Sequence, residues 1–227
     1  MNKKILLPVL LLIALSSFIY AQENKKIALT FDADLTRGMD KRFKKGEKFY
    51  DPEVIKILKK EGIPCTIFLS GLWAIEYSKA VQAMADDSLF EFGNHSFSHP
   101  FFNTKMGKER KTLEIQDNKR ILEILTEKKI KFFRFPGGIN SKKDSLLAEK
   151  LGQKVIRWDI ASGDAFEKNE QKIFQRVTKK AKDGAIVVFH LGGPKNSPKT
   201  AKALQLIIPW LKAHGYHFVK VSDLNVS

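Results

Sequence analysis

His95 and His99 stand four residues apart in the run Asn94-His95-Ser96-Phe97-Ser98-His99-Pro100, and the chain has only five histidines. Neutral imidazole is the commonest protein ligand for zinc-like ions. On a helical turn, positions i and i+4 share a face, which would let both rings reach one ion. Two exposed surface histidines would show the same spacing, so a metal reading needs a third ligand. The run Thr30-Phe31-Asp32-Ala33-Asp34 offers two carboxylates. One can bind the ion while its neighbour takes a proton from the water that the ion acidifies. Such an ion would also polarise a carbonyl and hold the oxyanion that forms. Amide cleavage needs one more group, a proton donor for the departing amine. His190, of a residue type that titrates near neutral pH, fits that need. Arg134 carries a rigid fork able to orient a carboxylate, and Asp164 is placed to fix Arg134 or to tune His190.

Each of these residues has a plainer reading. Asp34 could be a turn residue, Arg134 an ordinary partner for an acid, and His190 a satisfied core histidine, but the functional reading is preferred for each. Asp159 and Asp164 could each cap a following helix, and Asp159 is expected to do no more. Trp73, Trp158 and Trp210 are assigned to the core, and His214 and His217 to structural or surface positions near a turn. Cys65, in the apolar run Ile63-Pro64-Cys65-Thr66-Ile67-Phe68, is expected to pack in a strand rather than act as a nucleophile.

Seven short apolar runs supply the elements that must position these groups: 27–31, 65–69, 89–92, 131–135, 155–158, 185–189 and 217–221. Their brevity and their Ile, Val and Phe content suit buried parallel strands. Helical patterns lie between them. Asp51-Pro52-Glu53 is a helix start leading into Val54, Ile55, Ile57 and Leu58, and Gly62 ends that helix. Further helices follow from Leu113, Ile115, Ile121, Leu122 and Leu125, from Ile173, Phe174 and Val177, and from Leu204, Ile207, Ile208 and Leu211, the last ending near Gly215. Strand–helix alternation implies parallel strands with right-handed crossovers, either closed into a barrel or open and doubly wound. In both, working residues lie past the C-terminal ends of strands. Asp32 and Asp34, His95 and His99, Arg134, Asp164 and His190 all fall there, delivered by five strands.

The 227 residues suit one domain, and 43% hydrophobic with 29% charged residues is globular composition. Residues 1–21 read as a signal peptide: Lys3 and Lys4, an apolar stretch broken by Pro8, then Ser16, Ser17 and Ala21. The expectation is export with no stable membrane insertion after cleavage, the remaining residues 22–227 forming the working domain. A single cysteine forms no intrachain disulfide, so the fold must rely on its core or a metal. The formal charge is +15. Such a surface favours anionic partners, and for an exported protein headgroups or acidic wall polymers rather than nucleic acid. The lysine clusters, including 41–45, 108–111, 128–131 and 179–182, are expected to be solvated faces.

In order, these motifs resemble the polysaccharide deacetylases of carbohydrate esterase family four, from about Lys26 to the C-terminus. Leu29-Thr30-Phe31-Asp32 is similar to the family's first motif, Asn94 to Pro100 to the second and Arg134-Phe135-Pro136-Gly137-Gly138 to the third. Asp164 resembles the fourth, and Val188-Phe189-His190 the fifth. The resemblance implies an α/β fold, a distorted (β/α) barrel of about seven parallel strands. It implies one divalent ion, usually zinc with cobalt or another transition metal as alternatives, on Asp34, His95 and His99. It implies Asp32 as base, His190 as acid, and Arg134 and Asp164 as supporting residues. Pro136, Gly137, Phe166 and Val188 would line the substrate groove. Three positions depart from the family pattern: Ala33 separates the aspartates, Ala165 replaces an aromatic that Phe166 would have to supply, and Val188 stands where leucine is usual.

The implied activity is removal of N-acetyl groups from a chitin-like, peptidoglycan or poly-N-acetylglucosamine polymer. Two rivals remain at this point: a carbohydrate-binding relative without turnover, and a metal-dependent amidase for a small non-sugar amide.

Overall fold

The structure, a computed structural model, describes residues 25–103 and 105–224; the expected signal peptide lies outside these residues. Its centre is β1 (Lys25–Ala33), flanked by β2 (Cys65–Leu69) and β7 (Ala185–His190). The sheet continues through β3 (Phe90–Asn94), β4 (Phe132–Phe133) and β5 (Lys154–Val155) on one side and β6 (Ile160–Ala161) on the other, in the order β5-β4-β3-β2-β1-β7-β6. An eighth strand, β8 (Tyr216–Phe218), pairs with the start of β1, and every recorded pairing is parallel. This is the expected distorted barrel. Among the described residues no ladder joins β5 to β6, and residues 156–159 cross that gap.

The single expected strand at 155–158 is therefore two short strands around a bend, and β6 was not legible in the sequence. Its two residues, Ile160 and Ala161, carry no periodic signal. The expected strand at 131–135 forms ladder only at Phe132 and Phe133; the Arg134 amide still donates to the Asn94 carbonyl at 2.9 Å, and the chain turns at Pro136–Gly138.

The nine helices among the described residues are α1 (Arg37–Phe43), α2 (Pro52–Glu61), α3 (Gly71–Glu76), α4 (Ser78–Ala85), α5 (Lys108–Thr126), α6 (Lys142–Lys150), α7 (Glu170–Thr178), α8 (Gly193–Asn196) and α9 (Thr200–Ala213). Helix α2 starts and stops as its sequence dictates. Asp51 accepts from the Glu53 amide, Pro52 opens the first turn, and Gly62 closes it at φ 64°, where a Cβ would be strained. Helices α1, α3, α4, α6 and α8 were not anticipated, being short or, in α1 and α6, too charged for a clear apolar stripe.

Alternation along β1 separates two cores. Ile27, Leu29, Phe31 and Ala33 face the helices and join the main core with Phe189, Trp73 and Leu204. Ala28 faces inward, packing with Phe68, Ile156, Ile186 and Val221 inside the barrel. Thr30 and Asp32 continue that inward series toward the C-terminal rim, since strand side chains alternate with period two. Cys65 is buried in β2, and burial pushes its thiol pKa up. Trp73 is buried, whereas Trp158 and Trp210 are only half-buried. His214 stacks on Trp210 at 3.6 Å, and His217 is exposed on β8.

Candidate metal and active site

The five rim segments converge. His95 and His99 do not lie on a helical turn; they follow β3 in a loop where Ser96 (φ 65°) and His99 (φ 53°) take left-handed conformations. That backbone, not helical periodicity, brings the rings together, with centroids 4.9 Å apart. Asp34 Oδ1 lies 3.3 Å from His95 Nε2 and 3.4 Å from His99 Nε2. Ligand atoms of these three residues all fall within 4.8 Å of one another.

The donor chemistry fits a cation. His95 Nδ1 sits 2.8 Å from the Arg134 carbonyl, which can only accept, so Nδ1 carries a proton and, in the neutral ring, Nε2 presents its lone pair. Asp34 Oδ1 is buried and has no hydrogen-bond partner. The carboxylate oxygen and the two ring nitrogens need a positive charge among them. A cation supplies it to neutral rings; otherwise a proton on His95 does, since burial lowers the His95 pKa but Asp32 and Asp34 outweigh this and raise it. Asp34 is pushed up by burial, but His99 and His95 outweigh this and hold it well below the usual carboxylate range. His99 lies below its ordinary value because burial disfavours its charged form more than Asp34 favours it.

Asp32 is held differently. Its Oδ1 accepts from Arg134 Nη1 at 2.8 Å, while Oδ2 lies 3.5 Å from His95 Nε2. The period-two alternation explains why Ala33 does not disrupt the pair: Ala33 turns into the main core, and both aspartates face the barrel side. Arg134 is fully buried, donates to Thr30 Oγ1 at 2.8 Å, and lies 3.9 Å from the Phe68 ring centroid. The Phe68 face and three acceptors, Asp32, Thr30 and the Ile156 carbonyl at 3.4 Å, thus replace part of the solvent around the guanidinium, while Nη2 is buried without a partner among the described residues.

On the other wall, Asp32 and His190 are register partners across β1 and β7. His190 Nδ1 contacts Asp164 Oδ1 at 2.8 Å, and Asp164 Oδ2 accepts from the His190 amide at 2.8 Å and from Thr200 Oγ1 at 2.6 Å. Asp164 therefore serves His190, not Arg134. Burial lowers the His190 pKa, but Asp164 and more weakly Asp34 and Asp32 overcome that and raise it to about 10.

The groove residues are dispersed. Val188 is buried on β7 below His190, and Phe166 is 77% exposed on the turn after Asp164. Pro136 is buried in a tight turn with Gly137 at φ 61° and Gly138 at φ 70°. A Cβ on Gly137 would lie 2.8 Å from the Phe101 ring, and one on Gly138 2.8 Å from Trp158. Phe101 and Trp158 are thus the rings packed against this turn. Asp159 caps nothing: its Oδ2 accepts from the Ile186 amide, and Asn169 is the residue that caps α7.

The reading also missed what holds the histidine loop. Glu114 on α5 accepts from Ser98 N at 2.7 Å and Ser98 Oγ at 2.6 Å, and Asn118 Nδ2 donates to Asn94 Oδ1 at 2.7 Å. Lys111, expected on a solvated face, is buried against Asp144 at 2.8 Å. A signal existed: Glu114, Asn118 and Leu122 share one stripe at four-residue spacing, so polar residues occupy the buried face of an otherwise ordinary helix.

The polysaccharide deacetylase family profile matches residues 20–156. The Bacillus subtilis peptidoglycan-N-acetylmuramic acid deacetylase PdaA is 29% identical over 206 residues, spanning 89% of this chain and 72% of PdaA. A peptidoglycan-N-acetylglucosamine deacetylase of Bacillus cereus is 30% identical over 203 residues, with 88% of each chain covered. A CE4-family pseudoenzyme structure from Bacillus anthracis superposes with a TM-score of 0.74 at 27% identity, over 89% of this chain and 66% of that one.

Proposed function

The chain belongs to the polysaccharide deacetylase family, whose profile covers more than half of it, and we propose that it is an exported, metal-dependent hydrolase that removes N-acetyl groups from amino-sugar polymers. Peptidoglycan is the leading substrate class, because the two curated relatives described above act on its N-acetylmuramic acid and N-acetylglucosamine residues. The observation that carries the reading is the Asp34–His95–His99 cluster beside an arginine-held Asp32 and an aspartate-held His190.

Asp34, His95 and His99 would hold the ion, zinc being the best match to two imidazoles and a carboxylate. A bound ion supplies Lewis acidity, acidifying a water and polarising the substrate carbonyl. Asp32 takes the water's proton on Oδ2, the oxygen that Arg134 leaves free. Asp164 holds His190 Nδ1 and keeps the imidazolium protonated at neutral pH, so that Nε2 delivers a proton to the leaving amine. Pro136, Gly137, Phe166 and Val188 are assigned to the groove that orients the sugar and its acetyl methyl.

Acetate release from N-acetylated chitooligosaccharides and from peptidoglycan tests this, using metal-stripped protein with and without zinc or cobalt. Release restored by metal and absent in His95→Ala and Asp32→Asn supports the proposal. Equal release by parent and variants overturns it. A glycan-binding relative without turnover is the second reading, favoured by the similarity to a pseudoenzyme and by Ala165 in place of the groove aromatic. It predicts glycan affinity with no acetate under any metal.

A further inference from the structure

The lysine run at 128–131 has no part in the chemistry above. It lies on the segment leading into β4, near the N-terminal ends of the strands, whereas the metal cluster lies past their C-terminal ends. Strands β3 and β4 share one register pair, Asn94 with Phe133. Below that pair they part, and a cavity of about 440 Å³ opens between the start of β3 and residues 128–132. Lys129, Lys131 and Lys220 line it, with Ser88 and Ser222 at its edge. Phe90, Phe92 and Phe132 supply apolar wall.

The charges in this cleft are unbalanced. Lys128 donates to the Ala85 carbonyl at 2.6 Å, so its ammonium is already engaged. Glu91 is the acid in the lining, and its Oε2 is occupied by Thr66 Oγ1 at 2.6 Å and the Ser222 amide at 3.3 Å. Lys129, Lys131 and Lys220 form no ion pair among the described residues. Three unpaired ammonium groups around a concave, partly aromatic cleft are complementary to an anion carrying an organic part. Three lysine point charges in one cleft match the nearly double negative charge of a phosphate monoester better than the single charge of a carboxylate.

We infer that this cleft is an anion site for an organic phosphate, of the size of a polyol- or sugar-phosphate unit, at the pole opposite the metal cluster. The inference is independent of whether the metal site turns over. Lys129, Lys131 and Lys220 neutralise the phosphate, while the phenylalanine walls and serine hydroxyls receive the polyol.

Calorimetric titration of the whole protein with inorganic phosphate and with glycerol 3-phosphate tests it, beside vesicles containing anionic phospholipid. The expected result is saturable one-site binding, tighter for glycerol 3-phosphate than for phosphate. Lys131→Glu with Lys220→Glu should weaken it about tenfold or more. Ser88→Trp, at an exposed edge position, should weaken it comparably by filling the cleft with every lysine intact. Lys142→Glu with Lys143→Glu, on exposed α6 positions, is the charge control and should bind like the parent. Acetate release from small oligosaccharides should be unchanged in every variant.

The proposal is overturned by absence of saturable binding, by normal binding in Ser88→Trp, or by equal weakening in the charge control. Binding to vesicles without binding to glycerol 3-phosphate would also overturn it, making this pole a basic surface and not a site. Loss of acetate release in the cleft variants would assign these residues to the catalytic machinery instead, with the same consequence.

Discussion

Asp32 and Asp34 are two residues apart yet meet opposite surroundings. Asp34 faces two imidazoles, and Asp32 is tied on one oxygen by a buried guanidinium. The same logic separates the histidines: His99 is pushed below its ordinary pKa by burial, whereas His190, also desolvated, is carried to about 10 by Asp164. Since the folded pKa lies above the unfolded value of about 6.5, the His190–Asp164 pair stabilises fully below that value. The contribution is lost as pH rises through about 10. NMR titration of metal-free protein should therefore find His190 still protonated at pH 8. A bound cation should lower its pKa by neutralising Asp34, and Asp164→Asn should lower it further. In the proposed reaction, Asp164→Asn then moves the alkaline limb of kcat/KM to lower pH; an unmoved limb would remove His190 as the acid.

At the scale of elements, helix α5 positions the histidine loop and β3 supports the arginine. Glu114→Ala would leave the Ser98 amide and hydroxyl without their acceptor in a buried place, costing about 1–3 kcal/mol. Because that loop carries both histidines, zinc affinity should fall about 10- to 100-fold, which a competition titration with a chelating dye would measure. Glu114→Gln, which keeps an acceptor oxygen, should recover part of the loss. Gly93 on β3 presents a second support. A Cβ there would sit 2.4 Å from the Phe68 ring on which Arg134 stacks. Gly93→Ala should destabilise by about 1–3 kcal/mol in thermal unfolding and lower acetate release by shifting Arg134 away from Asp32.

For the whole molecule, a barrel unjoined between β5 and β6 gathers residues from five segments onto one rim with no disulfide to hold them. An ion bridging the loops after β1 and β3 should therefore also act as a staple. Zinc at 100 times its Kd should add about 2.7 kcal/mol, raising Tm by about 5–10 °C for a chain of this size. Scanning calorimetry with zinc and with chelator measures the increment, and His95→Ala should abolish it. The two poles of the barrel differ in chemistry, carboxylates and imidazoles at one and unpaired lysines at the other. One chain can present both because the strands are parallel, which sends all their C-terminal ends to the same side.

By itself the sequence determined the fold class, the central strands and the residue types collected at the rim. These are written locally: apolar runs of strand length, the Asp51-Pro52 start and Gly62 stop of α2, and chemistry-bearing residues placed after each strand. It also brought Asp34, His95 and His99 together as candidates for one ion, although by the wrong backbone, since the two histidines meet through left-handed residues and not a helical turn. Only the tertiary structure decided which carboxylate serves which partner. Asp32 with Arg134 and Asp164 with His190 are contacts across 102 and 26 residues, and no local pattern encodes a distance through the barrel. The buried roles of Glu114, Asn118 and Lys111 were hidden for a related reason: a polar residue on a helix reads as solvated until a second element is packed against that face. The splaying of β3 from β4 likewise has no local signal, because it depends on where two distant segments stop pairing.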